Sequence, residues 1–336
     1  MQSLFGQING QPVTKYSVTN ANGVTLSCLS FGATWYSLTV PTDDGPRDVV
    51  LHYRTAEEYD QASSFLCKTI GRTAGRIGKG QATLNGQLVQ VPTNENGNTL
   101  HGGKHGLHDL NWDGRAEGSR IIFTCHMPSS VDGYPGDLDA QVEYLLDDND
   151  TVTISYSATA SEDTLWNPTC HIYFNLDGAD NTINAQDMQV LSDQRLELDE
   201  AKIPTGNLLP LADTPYDFKA PANLGAAIDG LQDIDEKGID DVYVISEHEE
   251  NDPVCTLWSS DKKVSVALTS PRNGLVVYSG NHFEAADDLE GYEGRPYVGI
   301  AVEAQTLPTA ATDDSGTIKL AADEQRDDWI SYKFTF

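Results

Sequence analysis

Thr151–Ala160 reads TVTISYSATA, a run in which apolar and hydroxyl-bearing side chains alternate. The apolar positions are Val152, Ile154, Tyr156 and Ala158. In a strand every second side chain points to the same face, so one face of this segment is suited to a core and the other to water. The segment therefore predicts a half-buried β-strand.

The same alternation appears elsewhere in the chain. It recurs in Leu138–Tyr144 and in Ile330–Phe336, where Ile330, Tyr332, Phe334 and Phe336 share one face. Ala82–Leu84 and Leu88–Val91 flank Asn85-Gly86, and both of these turn residues tolerate the positive φ that a type I′ turn requires. We therefore predict a hairpin at this turn and strands as the main element of the chain.

Helical patterns are few, and only Ala56–Phe65 and Ala222–Leu231 read as short helices. Glycine and proline punctuate the whole sequence, and no Pro/Ser-rich linker divides it into halves. Because strands with one apolar face must be covered by a second layer, sheet has to pack on sheet. We predict an all-β protein, a large antiparallel β-sandwich with few short helices that forms a single domain over residues 1–336.

The formal net charge is −30, from 21 basic and 51 acidic residues. Such a surface repels nucleic acid and anionic membranes, so we expect neither as a partner. The sequence shows no secretory signal and no apolar run of about 18 residues, the length of a membrane-spanning helix. Five cysteines without a CxxC motif indicate free thiols in a reducing compartment. We expect a cytoplasmic monomer or homodimer.

Two residues are candidates for acid–base chemistry. His171 lies in the aromatic segment CHIYF, and imidazole titrates near neutral pH. A core histidine bonded to a backbone carbonyl is the alternative interpretation. Glu303 lies among apolar residues in IAVEA, where a carboxylate is costly to bury unless it is paired or used in chemistry. A structural ion pair, or a place on the solvent face of a strand, would also explain Glu303.

Three histidines, His101, His105 and His108, are close in sequence. Imidazoles are common metal ligands, but the glycines between these residues prevent a helix from aligning the rings. We expect instead a loop with one functional histidine and two exposed ones, and no metal site.

Other polar residues have ordinary explanations as well as functional ones. Asp240 and Asp241 precede an apolar strand pattern, a position where acidic residues commonly form turns. Arg72 and Arg76 lie in GRTAGRIGKG, whose glycines let the backbone approach a ligand closely. This stretch is not a GxGxxG nucleotide motif, and no Walker-type lysine-serine follows it.

Taken together and in order, several segments of the chain resemble the aldose 1-epimerase (galactose mutarotase) family. The similarity extends over nearly the whole chain and is more specific than any single motif. The segments that carry it are GRTAGRIGKG at 71–80, NTLHGG at 98–103, GYPG at 133–136, NPTCHIYFNLDG at 167–178, IPTG at 203–206, GIDD at 238–241 and AVEAQTLP at 301–308.

The resemblance implies a supersandwich of the galactose mutarotase type and an enzyme that interconverts the α and β anomers of free aldohexoses such as galactose and glucose. It implies that Glu303 and His171 are the catalytic base and acid, and that no cofactor takes part. The residues implied to bind the sugar are Arg76, His101 and Asp240. Some relatives carry asparagine at the position of Gly75 and glutamine near that of Val276, so contacts to the sugar hydroxyls differ here.

Two other functions are compatible with the same residues. A glycoside hydrolase could use Glu303 and Asp240 as its pair of carboxylates. A non-catalytic sugar-binding protein could share the fold, although such a protein would usually have lost His171 or Glu303. An epimerase of hexose 6-phosphates is disfavoured by the LHGG segment and by the negative charge.

Overall fold

The computed structural model describes residues 1–336 and consists mostly of β-strands. In chain order the strands are β1 (Gln2–Ile8), β2 (Gln11–Thr19), β3 (Thr25–Leu29), β4 (Thr34–Thr42), β5 (Gly45–Asp48), β6 (Thr69–Ile70), β7 (Arg76–Ile77), β8 (Gln81–Leu84), β9 (Gln87–Gln90), β10 (Thr99–Leu100), β11 (Asp113–Glu117), β12 (Arg120–Met127), β13 (Leu138–Leu146), β14 (Thr151–Ala160), β15 (Thr164–Leu165), β16 (Thr169–Cys170), β17 (Tyr173–Phe174), β18 (Asp187–Val190), β19 (Ser192–Leu198), β20 (Pro204–Pro210), β21 (Ala222–Asn223), β22 (Asp240–Ile245), β23 (Cys255–Trp258), β24 (Ser265–Thr269), β25 (Gly274–Tyr278), β26 (Ile300–Gln305), β27 (Lys319–Leu320) and β28 (Arg326–Thr335). The helices are α1 (Ala56–Gln61), α2 (Ser129–Asp132) and α3 (Leu224–Asp229).

Three large sheets organise these strands, and every strand pair within them is antiparallel. A five-stranded sheet has the order β1-β2-β3-β4-β5. A nine-stranded sheet has the order β11-β12-β13-β14-β28-β24-β23-β18-β21, and a six-stranded sheet has the order β17-β26-β25-β22-β19-β20. The predicted all-β sandwich is confirmed.

The strand predicted over Thr151–Ala160 is confirmed. β14 spans Thr151–Ala160, and its four apolar side chains are buried. β13 and β28 lie on either side of β14 in the nine-stranded sheet, so the three alternating segments are neighbours. Phe336 was expected on the buried face, but it lies beyond the end of β28 and is exposed.

The predicted turns and helices are present, with shorter helices than expected. Asn85 and Gly86 both have positive φ between β8 and β9, as the hairpin prediction requires. Helix α1 begins with a capping box in which Thr55 and Glu58 satisfy each other's backbone N–H groups, but it ends four residues before Phe65. Helix α3 covers only the middle of the second predicted helix. Helix α2 was not predicted.

A single large cluster of buried apolar side chains connects the three sheets. At its centre the ring of Trp35 from β4 packs edge-on against Tyr332 of β28, with 5.3 Å between ring centroids. The same indole contacts Tyr144 of β13 and Phe174 of β17. This one side chain of the five-stranded sheet therefore contacts both other sheets. No helix of the structure is both long and apolar enough to cross a membrane.

Candidate active site

A cleft of about 410 Å³ lies on one face of the six-stranded sheet. Side chains of β26, β25 and β22 line it, and further lining residues come from segments before β6, around β7 and β10, and after β25 and β26. All five residues proposed from the sequence line this cleft, namely Arg76, His101, His171, Asp240 and Glu303. Segments that lie more than 200 residues apart in the sequence thus meet at one site.

Glu303 lies in the interior of β26 and points to the cleft side of the sheet. Its strand neighbours Val302 and Ala304 point to the opposite side, into the main core. The side chain of Glu303 is only 1% exposed, and its Oε2 atom has no hydrogen-bond partner within the protein. Glu303 therefore does not lie on a solvent face, and no lysine or arginine forms an ion pair with it.

His171 lies between the two short strands β16 and β17 and lines the cleft. Its Nε2 atom lies 3.3 Å from Oε1 of Glu303. The imidazole stacks on the ring of Tyr173 at a centroid distance of 5.0 Å, and Phe65 lies nearly parallel to it at 6.3 Å. The aromatic rings hold the imidazole in place beside the carboxyl group.

Burial changes the protonation of both members of this pair. It raises the pKa of Glu303 from 4.5 to about 8, and the negative charge of Asp240 raises this pKa further, whereas Arg76 opposes the change. Burial lowers the pKa of His171 from 6.5 to about 4, in the same direction as the charge of Arg76. Both pKa shifts favour uncharged forms, so at neutral pH the free pair holds one proton.

His101 follows β10 in a tight turn that only glycines can complete. His101 itself has a φ of 52°, and Gly102 and Gly103 each have a φ of 85°. A Cβ atom on Gly102 would lie 1.9 Å from the carbonyl oxygen of Gly71. The LHGG segment is therefore required for this close approach, which brings His101 to the cleft wall.

The backbone N–H of Gly75 donates a hydrogen bond to Nδ1 of His101 at 3.3 Å. Because Nδ1 accepts, the neutral ring carries its proton on Nε2 and can donate it to a ligand. Burial lowers the pKa of His101 well below its usual value, and the nearby His171 and Arg76 act in the same direction. His101 therefore presents a neutral N–H group to the cleft.

The ligating atoms of His101, His171 and Glu303 lie within 4.8 Å of one another, close enough for a metal ion. Two imidazoles and one carboxylate are also a common ligand set. However, a metal bound to Nε2 of His101 would require the proton on Nδ1, where it would face the N–H of Gly75. The hydrogen bond thus favours a role for His101 as a hydrogen-bond donor to a ligand over a role as a metal ligand.

Two further residues complete the polar walls. Nε and Nη2 of Arg76 pair with both carboxylate oxygens of Glu95, at 2.6 and 2.9 Å, which leaves Nη1 to donate to a ligand. Asp240 begins β22 and lies 3.8 Å from the ammonium group of Lys202. The next residue, Asp241, is turned away from the cleft and pairs with Arg195 at 2.6 Å.

The other arginine and histidines of the candidate segments lie outside the cleft. Arg72 is fully buried and pairs with Asp132 at 2.6 Å. His105 is exposed and pairs with Asp109, as expected for a surface residue. The expectation that His108 is also exposed was wrong, because its ring is buried edge-on against Phe65.

Several residues that line the cleft were not predicted as site residues. Phe65 and Tyr173 enclose the imidazole of His171, and Tyr278 lies opposite Asp240 in the pairing of β25 with β22. Gln305 lies on the same face of β26 as Glu303. Its two-residue spacing from Glu303 was a usable signal, because a strand repeats its faces with that period. Tyr173 has the same spacing from His171, whereas Phe65 and Tyr278 had no such signal.

Comparison with known proteins identifies the family of the chain. The sequence profile described as aldose 1-epimerase matches residues 14–333. The chain is 35% identical to a maltose epimerase of Levilactobacillus brevis, over 99% of this chain and 98% of that protein. It is 30% identical to the galactose mutarotase of Homo sapiens, over 99% and 98% of the two chains.

The fold agrees as well. The crystal structure of a galactose 1-epimerase from Lactobacillus acidophilus NCFM superimposes with a TM-score of 0.87 at 27% identity, covering 99% of this chain and 98% of that one. Family match, sequence similarity and fold therefore point in one direction, and the chain belongs to the aldose 1-epimerase family, whose curated relatives are isomerases that act on carbohydrates.

Proposed function

We propose that this protein interconverts the α and β anomers of free aldohexoses such as galactose and glucose by acid–base catalysed opening and closing of the ring. The observation that carries the proposal is the buried contact of 3.3 Å between His171 and Glu303 on the floor of a cleft. Three further polar residues surround this pair. An acid and a base side by side meet the minimum requirement of the reaction.

Ring opening requires that the C1 hydroxyl loses a proton and the ring oxygen gains one. In the reactive form Glu303 is a carboxylate that accepts the hydroxyl proton, and His171 is protonated and donates to the ring oxygen. The bond between C1 and the ring oxygen breaks, its electron pair goes to that oxygen, and C1 becomes an aldehyde. Rotation about the C1–C2 bond presents the other face of the aldehyde, and the two residues exchange roles as the ring closes.

The single proton of the free pair is compatible with this scheme. The neutral pair and the pair with opposite charges hold the same number of protons, so transfer between Glu303 and His171 produces the reactive form without exchange with solvent. Arg76 and His101 supply donors to the sugar oxygens, and Asp240 supplies acceptors. These contacts hold the sugar beside the pair while C1 remains free to rotate.

The test is polarimetry of freshly dissolved α-galactose. We expect Glu303→Gln to lower kcat by about 10²–10⁴-fold, because the amide keeps the shape of the side chain but cannot accept the proton. His171→Asn should lower kcat far more than it raises KM. The control is Glu117→Gln, which removes an exposed carboxylate outside the cleft. If Glu303→Gln retains the wild-type rate, the assignment of the base is wrong.

Substrate panels separate the proposal from its rivals. A glycoside hydrolase would release new reducing ends from alkyl glycosides, whereas an epimerase leaves them unchanged because their C1 oxygen has no proton to lose. A non-catalytic sugar-binding protein would bind galactose without accelerating the change in optical rotation. Either result would replace the epimerase proposal.

A reducing disaccharide is a second candidate substrate, in line with the maltose epimerase among the relatives. The specific observation is that the cleft, of about 410 Å³, is also lined by residues from two further loops, Ser63, Ser64, His282, Phe283, Glu284 and Asp287. We propose that these residues contact a second sugar unit. The same polarimetric assay with a pure anomer of maltose compares the two substrates directly.

The proposal extends to the organisation of the protein. We propose that residues 1–336 form one epimerase domain that works in the cytoplasm. Its support is the profile match across most of the chain and the five cysteines, none of which forms a disulfide.

A further inference from the structure

Gln305 is a buried amide for which the protein supplies no partner. It ends β26, two residues after Glu303, and its side chain lines the same cleft. The residue is 0% exposed, and neither its Oε1 nor its Nε2 atom has a hydrogen-bond partner within the protein. An amide buried without partners is costly, so its position at a ligand cleft calls for an explanation.

Other buried amides of the chain show how structural amides are satisfied. Gln186, also 0% exposed, accepts from the backbone N–H of Leu176 and donates to Asn175. Asn167, close to Gln305, both donates to the carbonyl and accepts from the N–H of Thr306. The fold thus pairs amides that have only a structural role, and Gln305 differs from them.

Gly75 keeps the space beside this amide open. A Cβ atom on Gly75 would lie 3.2 Å from Nε2 of Gln305 and 3.5 Å from the Cβ of Pro308. Gly75 also has a φ of 73°, which favours glycine. The backbone N–H of the same glycine bonds to His101, so Gln305 and a proposed sugar-binding residue are neighbours across one glycine.

We propose that Gln305 is a substrate-binding residue and that Gly75 and Gln305 form a subsite for a hydroxyl group, or two adjacent hydroxyl groups, of the sugar. A free carboxamide offers one acceptor oxygen and two donor hydrogens. A hydroxyl both donates and accepts and so matches it, whereas a phosphate ester at neutral pH only accepts. The inference rests on the proposed function and names the class of substrate, an uncharged polyhydroxylated sugar, that this part of the cleft selects.

The experiment replaces Gln305 with methionine, which is similar in size and lacks the amide. For free protein, Gln305→Met should leave the melting temperature unchanged or raise it, because an unpaired polar group has been removed. Its KM for galactose should rise about tenfold, the loss expected for one or two hydrogen bonds. The matched control, Gln186→Met, should lower the melting temperature and leave KM unchanged, because it breaks a paired amide outside the cleft.

A panel of monodeoxy sugars identifies the hydroxyl. Wild-type protein should discriminate against one deoxy sugar by about tenfold more than Gln305→Met does, because the variant has already lost that contact. The pH dependence of kcat/KM should be the same in the variant as in the wild-type protein, which would show that the pair of Glu303 and His171 is intact. Gln305→Leu repeats the comparison if the methionine variant does not fold.

The outcomes separate the two proposals. If wild-type protein accelerates mutarotation but KM and the deoxy-sugar pattern are the same in the Gln305 variants, the subsite is refuted and the epimerase proposal stands. If wild-type protein accelerates no sugar, the proposed function fails, and binding of galactose measured by calorimetry then decides whether Gln305 binds sugar. A loss of stability without a change in KM would also overturn the inference, because it would mark Gln305 as structural.

Discussion

The pKa values of Glu303 and His171 are both shifted by the same physical cause, which is burial. Water is largely excluded from both side chains, and a charge on either is therefore costly. The cost raises the pKa of the acid and lowers that of the imidazole, so the two pKa values change order relative to the free amino acids. As a consequence the pair keeps one proton over a wide range of pH.

The pH dependence of kcat/KM follows from the number of protons that the pair of Glu303 and His171 holds. Below about pH 4 His171 becomes protonated while Glu303 is also protonated, so the pair holds two protons and no base remains. Above about pH 8 Glu303 loses the last proton, and no acid remains. We expect a bell-shaped profile with limbs near these values, which belong to the pair as a whole. Polarimetry with galactose across this range is the measurement, and a profile without an alkaline limb would contradict the single-proton pair.

At the residue scale the sequence predicted which side chains meet but not how they are paired. The five proposed residues do line one cleft. Their partners could not be foreseen, since Glu95 and Lys202 come from unrelated segments and only folding brings them to Arg76 and Asp240. The same holds for the orientation of Asp241, which depends on the face of β22 that the core selects.

Among the elements, the turn after β10 has the tightest backbone contact at the site. Gly102→Ala would place a methyl group 1.9 Å from the carbonyl of Gly71, so the turn has to move. We expect a loss of a few kcal/mol in the free energy of unfolding and a higher KM, because His101 moves with the turn. Urea unfolding and polarimetry measure the two effects.

Gly97→Ala is the matched control for that variant. Gly97 has a nearly identical φ of 84°, but nothing lies within 4 Å of its Cβ position. It therefore bears only the strain of a positive φ, about 1 kcal/mol. Equal losses of stability in the two variants would show that the contact with Gly71 is unimportant.

Strands were predicted correctly where apolar and polar residues alternate over enough positions for the two-residue period to be recognised. In long strands such as β13 and β14 the alternation of apolar and polar residues repeats several times, and the bounds of these strands were predicted closely. The two-residue strands β16 and β17 around His171 are too short to show any period. Both helices end before their predicted last residues, at Gln61 and Asp229. For helices this short, tertiary packing contributes more to stability than helix propensity, and packing cannot be read from the sequence.

At the scale of the whole molecule, the net charge of −30 acts on stability through self-repulsion. Raising the salt concentration from about 0.01 M to about 1 M shortens the Debye length from about 30 Å to about 3 Å and weakens this repulsion. We therefore expect the melting temperature to rise with potassium chloride. A melting temperature that falls with salt would mean that surface ion pairs outweigh the repulsion.

Fold class was predictable at this scale because alternation along many strands requires two-layer packing. The order of strands in the sheets was not, since β28 pairs with β14 and β24 from distant parts of the chain. Contacts such as those of Trp35 with Tyr332 and Tyr144 join segments far apart in the chain, and the alternation within each strand does not predict them.

The buried pair of Arg72 and Asp132 has a consequence for the evolution of the protein. Two hydrogen bonds of 2.6 and 3.0 Å join the two side chains, and both side chains are buried away from solvent. Loss of one partner leaves an uncompensated charge at a cost of about 3–5 kcal/mol, a large part of the stability of an ordinary domain. Descendants of this chain should therefore keep both residues or replace both. Because Arg72 lies in the same segment as Arg76, the position of Arg76 depends on a pair of residues that can be replaced only together.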